Sequence, residues 1–152
     1  METIEDFQND IIRVGLAKPS EMTGCSQEEI ERLMIHQGVN HLPPFYREFL
    51  ERMGKNSGKY EIGARFLFDD LFSLKEQVQA IAKNADWVLP DDAFVFSGSI
   101  DNQFLFFQTE ESDDPAVYIV ENNTKTEYID SFKLVLEGYF LKAVGLLPDE
   151  VE

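Results

Sequence analysis

The sequence predicts an α+β domain in which an antiparallel-rich central sheet is flanked by N-terminal and C-terminal helices. Three observations carry this. Apolar residues recur at helical spacing in the first half of the chain and again at its C-terminal end, while short strand-like runs cluster between residues 93 and 129, so helices precede and follow the strands instead of alternating with them. The polar segments SGSIDN, TEESDDP and NNTK that separate those runs have the length of hairpin connections. Hydrophobic residues make up 43% of 152 positions, including 13 Phe, enough for one sizeable core. No internal repeat or low-complexity linker divides the chain, so 1–152 reads as one domain, with 1–25 as an N-terminal helical extension.

Taken in order, Ile4, Phe7, Ile11 and Val14 mark one face of an amphipathic helix over 3–16. Ser26 with Glu29 has capping-box spacing and opens a helix with Ile30, Leu33 and Met34 inward, which Gly38 stops. Pro43 and Pro44 suit the first turn of the next helix, whose buried stripe is Phe45, Phe49, Leu50 and Met53 and which ends at Gly54. KNSGKYEIG reads as a loop leading into a short strand, and ARFLFDDLFSL as another strand and turn. Ser73 and Glu76 repeat the capping-box spacing before a helix with Val78, Ile81, Ala82 and Ala85 on one face. The strands AFVFS, QFLFFQ, AVYIVE and TEYI follow, then a helix capped by Ser131 with Phe132, Val135, Leu136, Tyr139 and Phe140 as its apolar positions. AFVFS and QFLFFQ are apolar at consecutive positions, which predicts central strands covered on both faces. Their aromatics read as core, because burying each ring is worth roughly 1.5–3 kcal/mol without any ligand.

Charge is the strongest global signal: 29 acidic against 13 basic residues give a net charge of −16. Nucleic acid and anionic membranes attract basic surfaces, so both are disfavoured as direct partners, while a basic protein would be steered toward this one. No apolar run approaches the ~20 residues needed to cross a bilayer. The N-terminus METIEDFQNDIIRVG lacks the basic and apolar regions of a signal peptide, and one cysteine cannot form an internal disulfide, so a cytoplasmic location is expected. Asn122-Asn123-Thr124 accordingly reads as a turn, not a glycan acceptor.

Residues capable of chemistry are present but not assembled. His36 and His41 are the only histidines and lie across the Gly38 break without further ligands at metal-site spacing. Asp101, Asn102 and Gln103 lack the pattern of a calcium loop, and Cys25 has no companion constellation for nucleophilic catalysis. No metal and no cofactor are expected. Paired carboxylates abound, at Asp69-Asp70, Asp91-Asp92, Glu110-Glu111 and Asp113-Asp114. A general acid needs an apolar pocket that raises its pKa, and Asp69-Asp70, between FLF and LF, is the least ordinary pair because apolar neighbours surround it, although caps and turns also explain Asp between a strand and a helix. Glu110, Glu111, Asp113 and Asp114 concentrate negative charge in one hairpin loop and are the first candidates for contact with a basic partner. Trp87 reads as packing at the edge of the core, with a partner-binding role as the alternative because tryptophan is enriched at interface centres.

The span 28–54, EEIERLMIHQGVNHLPPFYREFLERMG, resembles the SUKH superfamily, which contains yeast cell-wall-synthesis regulators of the Smi/Knr type and many bacterial immunity proteins. The resemblance is carried by Leu42, Pro43, Tyr46, Phe49 and Leu50 in the form LPxxYxxFL, by LPDDAFVFSGSIDNQFLFFQTEESDDPAVYIV over 89–120, and by the closing SFKLVLEGY. MGKNSG stands where members often carry Asn-Gly, and SGSIDNQ where they often have a Gly-rich turn. The resemblance implies a compact α+β domain and a non-enzymatic role. Bacterial members look like antidotes that bind a cognate toxin, commonly a nuclease or deaminase. It supplies no catalytic or binding residue to carry over.

Three readings follow. The first is an immunity protein that masks the basic substrate cleft of such a toxin with acidic side chains. The second is a regulatory interaction module of the yeast type without a toxin partner. The third is a carboxylate-dependent hydrolase using Asp69 or Asp70.

Overall fold

The computed structural model describes residues 2–99 and 101–145, with the backbone alone at 126–130. Among these the predicted α+β class holds: five helices and two antiparallel sheets. Helix α1 (Ile4–Arg13) starts where the Thr3 hydroxyl accepts a 3.0 Å bond from the Asp6 N–H, with Glu5 and Asp6 at the positive end of its dipole. Ile4, Phe7 and Ile11 are buried as predicted, but the helix ends earlier, and Val14, its C-cap, is 44% exposed. After a short 3-10 turn, β1 (Met22–Thr23) pairs with β2 (Asn56–Ser57) in a ribbon too brief to leave a period in the sequence.

Helix α2 (Gln27–Gln37) carries the predicted capping box: Glu29 N–H donates to Ser26 Oγ at 3.1 Å and Ser26 N–H donates to Glu29 Oε1 at 2.8 Å. Gly38 ends it with φ +72°, a conformation glycine adopts without Cβ strain. Helix α3 (Pro44–Met53) buries Tyr46, Phe49, Leu50 and Met53. The stripe therefore includes Tyr46 in place of Phe45, which is half-buried one step around the helix.

Helix α4 (Phe68–Asn84) corrects the sequence reading of this region. FDDL is its first turn, not part of a strand, and Ser73 lies inside the helix, its hydroxyl donating to the Asp70 carbonyl at 3.4 Å instead of capping. Phe68, Leu71, Leu74, Val78 and Ala82 form the buried stripe, whereas Ala85 is the exposed C-cap. Of ARF, only Arg65 makes a strand-like bridge, to Gly98.

The main sheet is an antiparallel meander, β3 (Ala93–Gly98), β4 (Phe104–Gln108), β5 (Ala116–Glu121) and β6 (Thr124–Ser131), in that spatial order. All of β3 is buried as its composition predicts, yet it is an edge strand, not a central one. Its outer edge is closed by a side chain. Gln37 accepts from Val95 N–H at 2.8 Å and donates to Val95 O at 3.0 Å, pairing with that residue as a neighbouring strand would, and donates again to Leu71 O at 2.9 Å. Further along the same edge Arg65 exchanges two 2.9 Å backbone bonds with Gly98. Gln37 thus answers the edge-strand problem from the end of α2. The C-terminal carbonyl of that helix, on the same residue, accepts from the buried Lys75 ammonium, which also donates to Asp91 O at 2.8 Å. Burial holds the Lys75 pKa below its usual value, against the opposing pull of Asp91 and Asp92.

Register places Phe94 opposite Phe107 on one face of the sheet and Val95 opposite Phe106 on the other. On the first face α3 and α5 (Phe132–Ala143) bring Tyr46 and Phe132 onto Phe94, Phe96 and Phe107, with centroid separations of 5.1–6.0 Å among these pairs. On the second, Leu74 of α4 lies so close to Gly98 that a Cβ there would stand 3.1 Å from its methyl and from the Phe104 ring. Ser131 occupies the N-cap position of α5, but its side chain makes no capping bond. Helix α1 closes the far end of the core, where Phe7 meets Tyr60 at 5.1 Å and Phe140 at 5.8 Å.

Two buried groups yield predictions. Tyr46 Oη is buried with no hydrogen-bond partner among the described residues. A phenol left unpaired costs roughly 1–3 kcal/mol of desolvation. Tyr46→Phe is therefore expected to stabilise the protein by about 1 kcal/mol in urea denaturation; a destabilisation of that size would reveal a partner for the hydroxyl. The Cys25 thiol is buried, and burial followed by the nearby Glu29 charge pushes its pKa up to about 12. Alkylation at pH 8 is expected to proceed only as fast as the chain unfolds, and labelling at the rate of a free thiol would contradict this.

Candidate functional site

The acidic hairpin loop at residues 109–115 joins β4 to β5, and carboxylates hold it in shape. Asp92, immediately before β3, accepts from Gln108 Nε2 at 3.2 Å and from Glu110 N–H at 3.1 Å, while its carbonyl accepts from both Thr109 N–H and Thr109 Oγ1. Glu111 reaches back across the loop: one oxygen accepts from Ala116 N–H at 3.2 Å and the other from the Tyr118 hydroxyl at 3.0 Å. Glu110 faces His41 Nδ1 at 3.2 Å, tying the loop to the α2–α3 connection. Asp114 N–H donates to Ser112 Oγ at 3.2 Å, and Pro115 is buried. The carboxylates of Asp113 and Asp114 are exposed and make no hydrogen bond or ion pair among the described residues. The loop is thus a hydrogen-bonded frame presenting two exposed charges, with Glu110 and Glu111 partly engaged in the frame itself.

Asp92, His41 and Tyr118 belong to this site; the sequence offered Asp92 only as one of several paired carboxylates and His41 only as an unsupported metal ligand, and did not single out Tyr118. Asp92 was within reach: once β3 and β4 are read as a hairpin, the start of one lies beside the end of the other, and Ala93 indeed pairs with Gln108. His41 and Tyr118 depend on tertiary approach and left no local signal.

Trp87 sits elsewhere. It follows Asp86, whose φ of +62° turns the chain out of α4, and its indole N–H donates to Asn123 O at 2.8 Å in the β5–β6 turn. The ring is half-buried against the core, which fits the edge-packing reading, while Val88 beside it is 84% exposed. Asn122 and Asn123 both have positive φ, the conformation of a tight hairpin turn.

Asp69 and Asp70 lie apart from the loop, in the first turn of α4. Asp69 is exposed and Asp70 half-buried, beside an open depression of about 430 Å³ also lined by Glu29, Lys55, Leu67 and Phe68. Their position suits the positive end of the helix dipole. Lys55 is engaged by Glu29, and this contact, followed by the Ser26 N–H bond, lowers the Glu29 pKa. His36 meets Glu76 at 3.5 Å on the surface between α2 and α4. Among the described residues no group of three or more His, Cys, Asp or Glu side chains is arranged to hold a metal ion, and no helix is long and apolar enough to cross a membrane.

A family model described as the SMI1 / KNR4 family (SUKH-1) matches residues 24–138. The chain belongs to the SUKH-1 family. The match runs from just before α2 into α5 and takes in all four strands of the main sheet, so the resemblance read from LPxxYxxFL and the strand segments covers the working body of the fold. Within this SUKH-1 domain the motif side chains Leu42, Pro43, Tyr46, Phe49 and Leu50 are buried, which makes them structural. Helix α1 lies outside the matched span. No curated protein and no solved structure matches the chain.

Proposed function

We propose that this SUKH-1 domain is a non-enzymatic, cytoplasmic immunity protein that binds a cognate bacterial toxin of the nuclease or deaminase type and masks its basic substrate cleft. The observation that carries the reading is the β4–β5 loop: a hydrogen-bonded frame that holds Asp113 and Asp114 outward on a chain of net charge −16. Exposed negative charge gathered on one loop steers a basic surface toward it. An enzyme that binds nucleic acid must present such a surface to phosphate.

The test is binding to the product of the neighbouring reading frame. Tight, stoichiometric binding that weakens as salt rises is expected; affinity no better than for an unrelated basic protein would defeat the proposal. Changing Glu110, Glu111, Asp113 and Asp114 together to alanine is expected to weaken binding by about tenfold or more, chiefly through slower association. Circular dichroism checks that the fold survives, and unchanged affinity would exclude the loop as a contact. A gene that stands alone, far from any toxin locus, would favour the regulatory module instead.

A further inference from the structure

We infer that two copies of this chain pair through the outward face of α5, the two helices parallel about a two-fold axis, with Leu134, Gly138 and Leu141 as the seam and Glu137 of each copy beside Lys142 of the other. This goes beyond the binding of a basic partner and does not depend on it.

Helix α5 is apolar on both sides. Phe132, Val135 and Leu136 are buried, and Tyr139 and Phe140 pack against the core. A helix engaged on one side normally turns polar residues to water on the other, as α1 does with Glu5, Asp6 and Arg13. In α5 the opposite side carries leucines. At about 100° per residue, Leu134, Gly138 and Leu141 fall within about 60° of arc, across the helix from Phe132 and Tyr139. Leu134 is 50% exposed and Leu141 partly so. Gly138, between them, is a weaker helix former than alanine, and a Cβ there would meet no atom within 4 Å. Nothing among the described residues requires so small a residue at that point, whereas a second helix approaching closely would.

The charges beside the seam identify what covers it. A chain of net charge −16 repels a second copy over most of its surface. Helix α5 instead carries Lys133 and Lys142 against Glu137, and none of the three forms an ion pair among the described residues. Written as a heptad abcdefg with Leu134 and Leu141 at d, Gly138 falls at a, Glu137 at g and Lys142 at the following e. In two parallel helices joined along a and d, a g residue lies across from the e residue of the partner's next heptad. Two-fold symmetry makes the contact twice, from Glu137 to Lys142 in each direction. The face is thus complementary to itself, which suits a second copy, whereas a basic partner would meet two lysines there.

The seam is short, so a dimerisation Kd of roughly 10–100 µM is expected, and the chain should run as a monomer at the dilution of a gel-filtration column. The experiment is sedimentation equilibrium of the full chain at concentrations up to about 500 µM. Leu134→Glu is expected to weaken dimerisation by more than about tenfold with the circular dichroism unchanged. Charge exchange gives the sharper test. Glu137→Lys lowers the net negative charge, so relief of overall repulsion alone would tighten the dimer. The seam predicts the reverse: Glu137→Lys and Lys142→Glu each weaken it by about fivefold, and the two together restore the wild-type affinity. A wild-type chain that is still monomeric at about 500 µM would overturn the inference. A double variant no tighter than either single one would overturn the parallel seam even where a dimer forms.

Discussion

Phe132→Ala is expected to destabilise the protein by about 3–5 kcal/mol, close to the whole stability of a marginal domain. The ring is fully buried at the first position of α5 and stands edge-on to Tyr46 at 5.1 Å and to Phe96 at 5.2 Å, with Phe49 and Phe107 at 6.3 and 5.9 Å. Removing it opens a cavity between α3, α5 and the sheet, with rigid aromatic walls that cannot collapse inward. The side chain also fastens the start of α5 to the core, so the loss should appear as a lower urea midpoint. A cost below about 1 kcal/mol would mean that the aromatic cluster tolerates a void at its centre, contrary to the packing described.

Gln37→Leu comes second, at about 2–5 kcal/mol, for a different reason. Leucine fills much of the same volume, but Val95 N–H and Val95 O then lose their partners inside a buried strand. Each unpaired backbone group costs roughly 1–3 kcal/mol. The third bond, to Leu71 O, matters less because that carbonyl lies within α4 and has a helical partner available. Two readouts separate this from simple repacking. The Val95 amide should lose its protection from hydrogen exchange ahead of β4, and the opened edge should promote self-association on gel filtration. A variant that stays monomeric with Val95 still protected would show that the edge is sealed by something other than Gln37.

Gln37 also shows what could and could not be read from the chain. The caps at Ser26 and Gly38, the Pro43-Pro44 entry to α3 and the four strands of the meander were legible, because each is written in local spacing and turn chemistry. A polar residue at the end of a helix looks like any helix end, and only the approach of β3 gives Gln37 its role. The edge position of β3 was hidden for a related reason: an apolar run records burial, and burial on both faces does not distinguish a paired edge from a plugged one. FLFDDLF was ambiguous in itself. Phe66 and Phe68 alternate as in a strand, while Phe68, Leu71 and Leu74 recur as in a helix, and tertiary packing chose the helix. At the candidate site the charge of the loop was legible, but the work of Glu111 was not, since the partners of its carboxylate lie across the hairpin.

Helix α1 has a practical meaning for anyone handling the protein. It falls before the span that defines the family, so a fragment trimmed to residues 24–138 would look complete on paper. Such a fragment would discard Ile4, Phe7 and Ile11 and bare the aromatic ring of Tyr60 on one side, and at its other border it would cut α5 before Phe140. The recognisable portion is therefore expected to be less stable by itself than the longer chain, which a lower urea midpoint for the fragment would show.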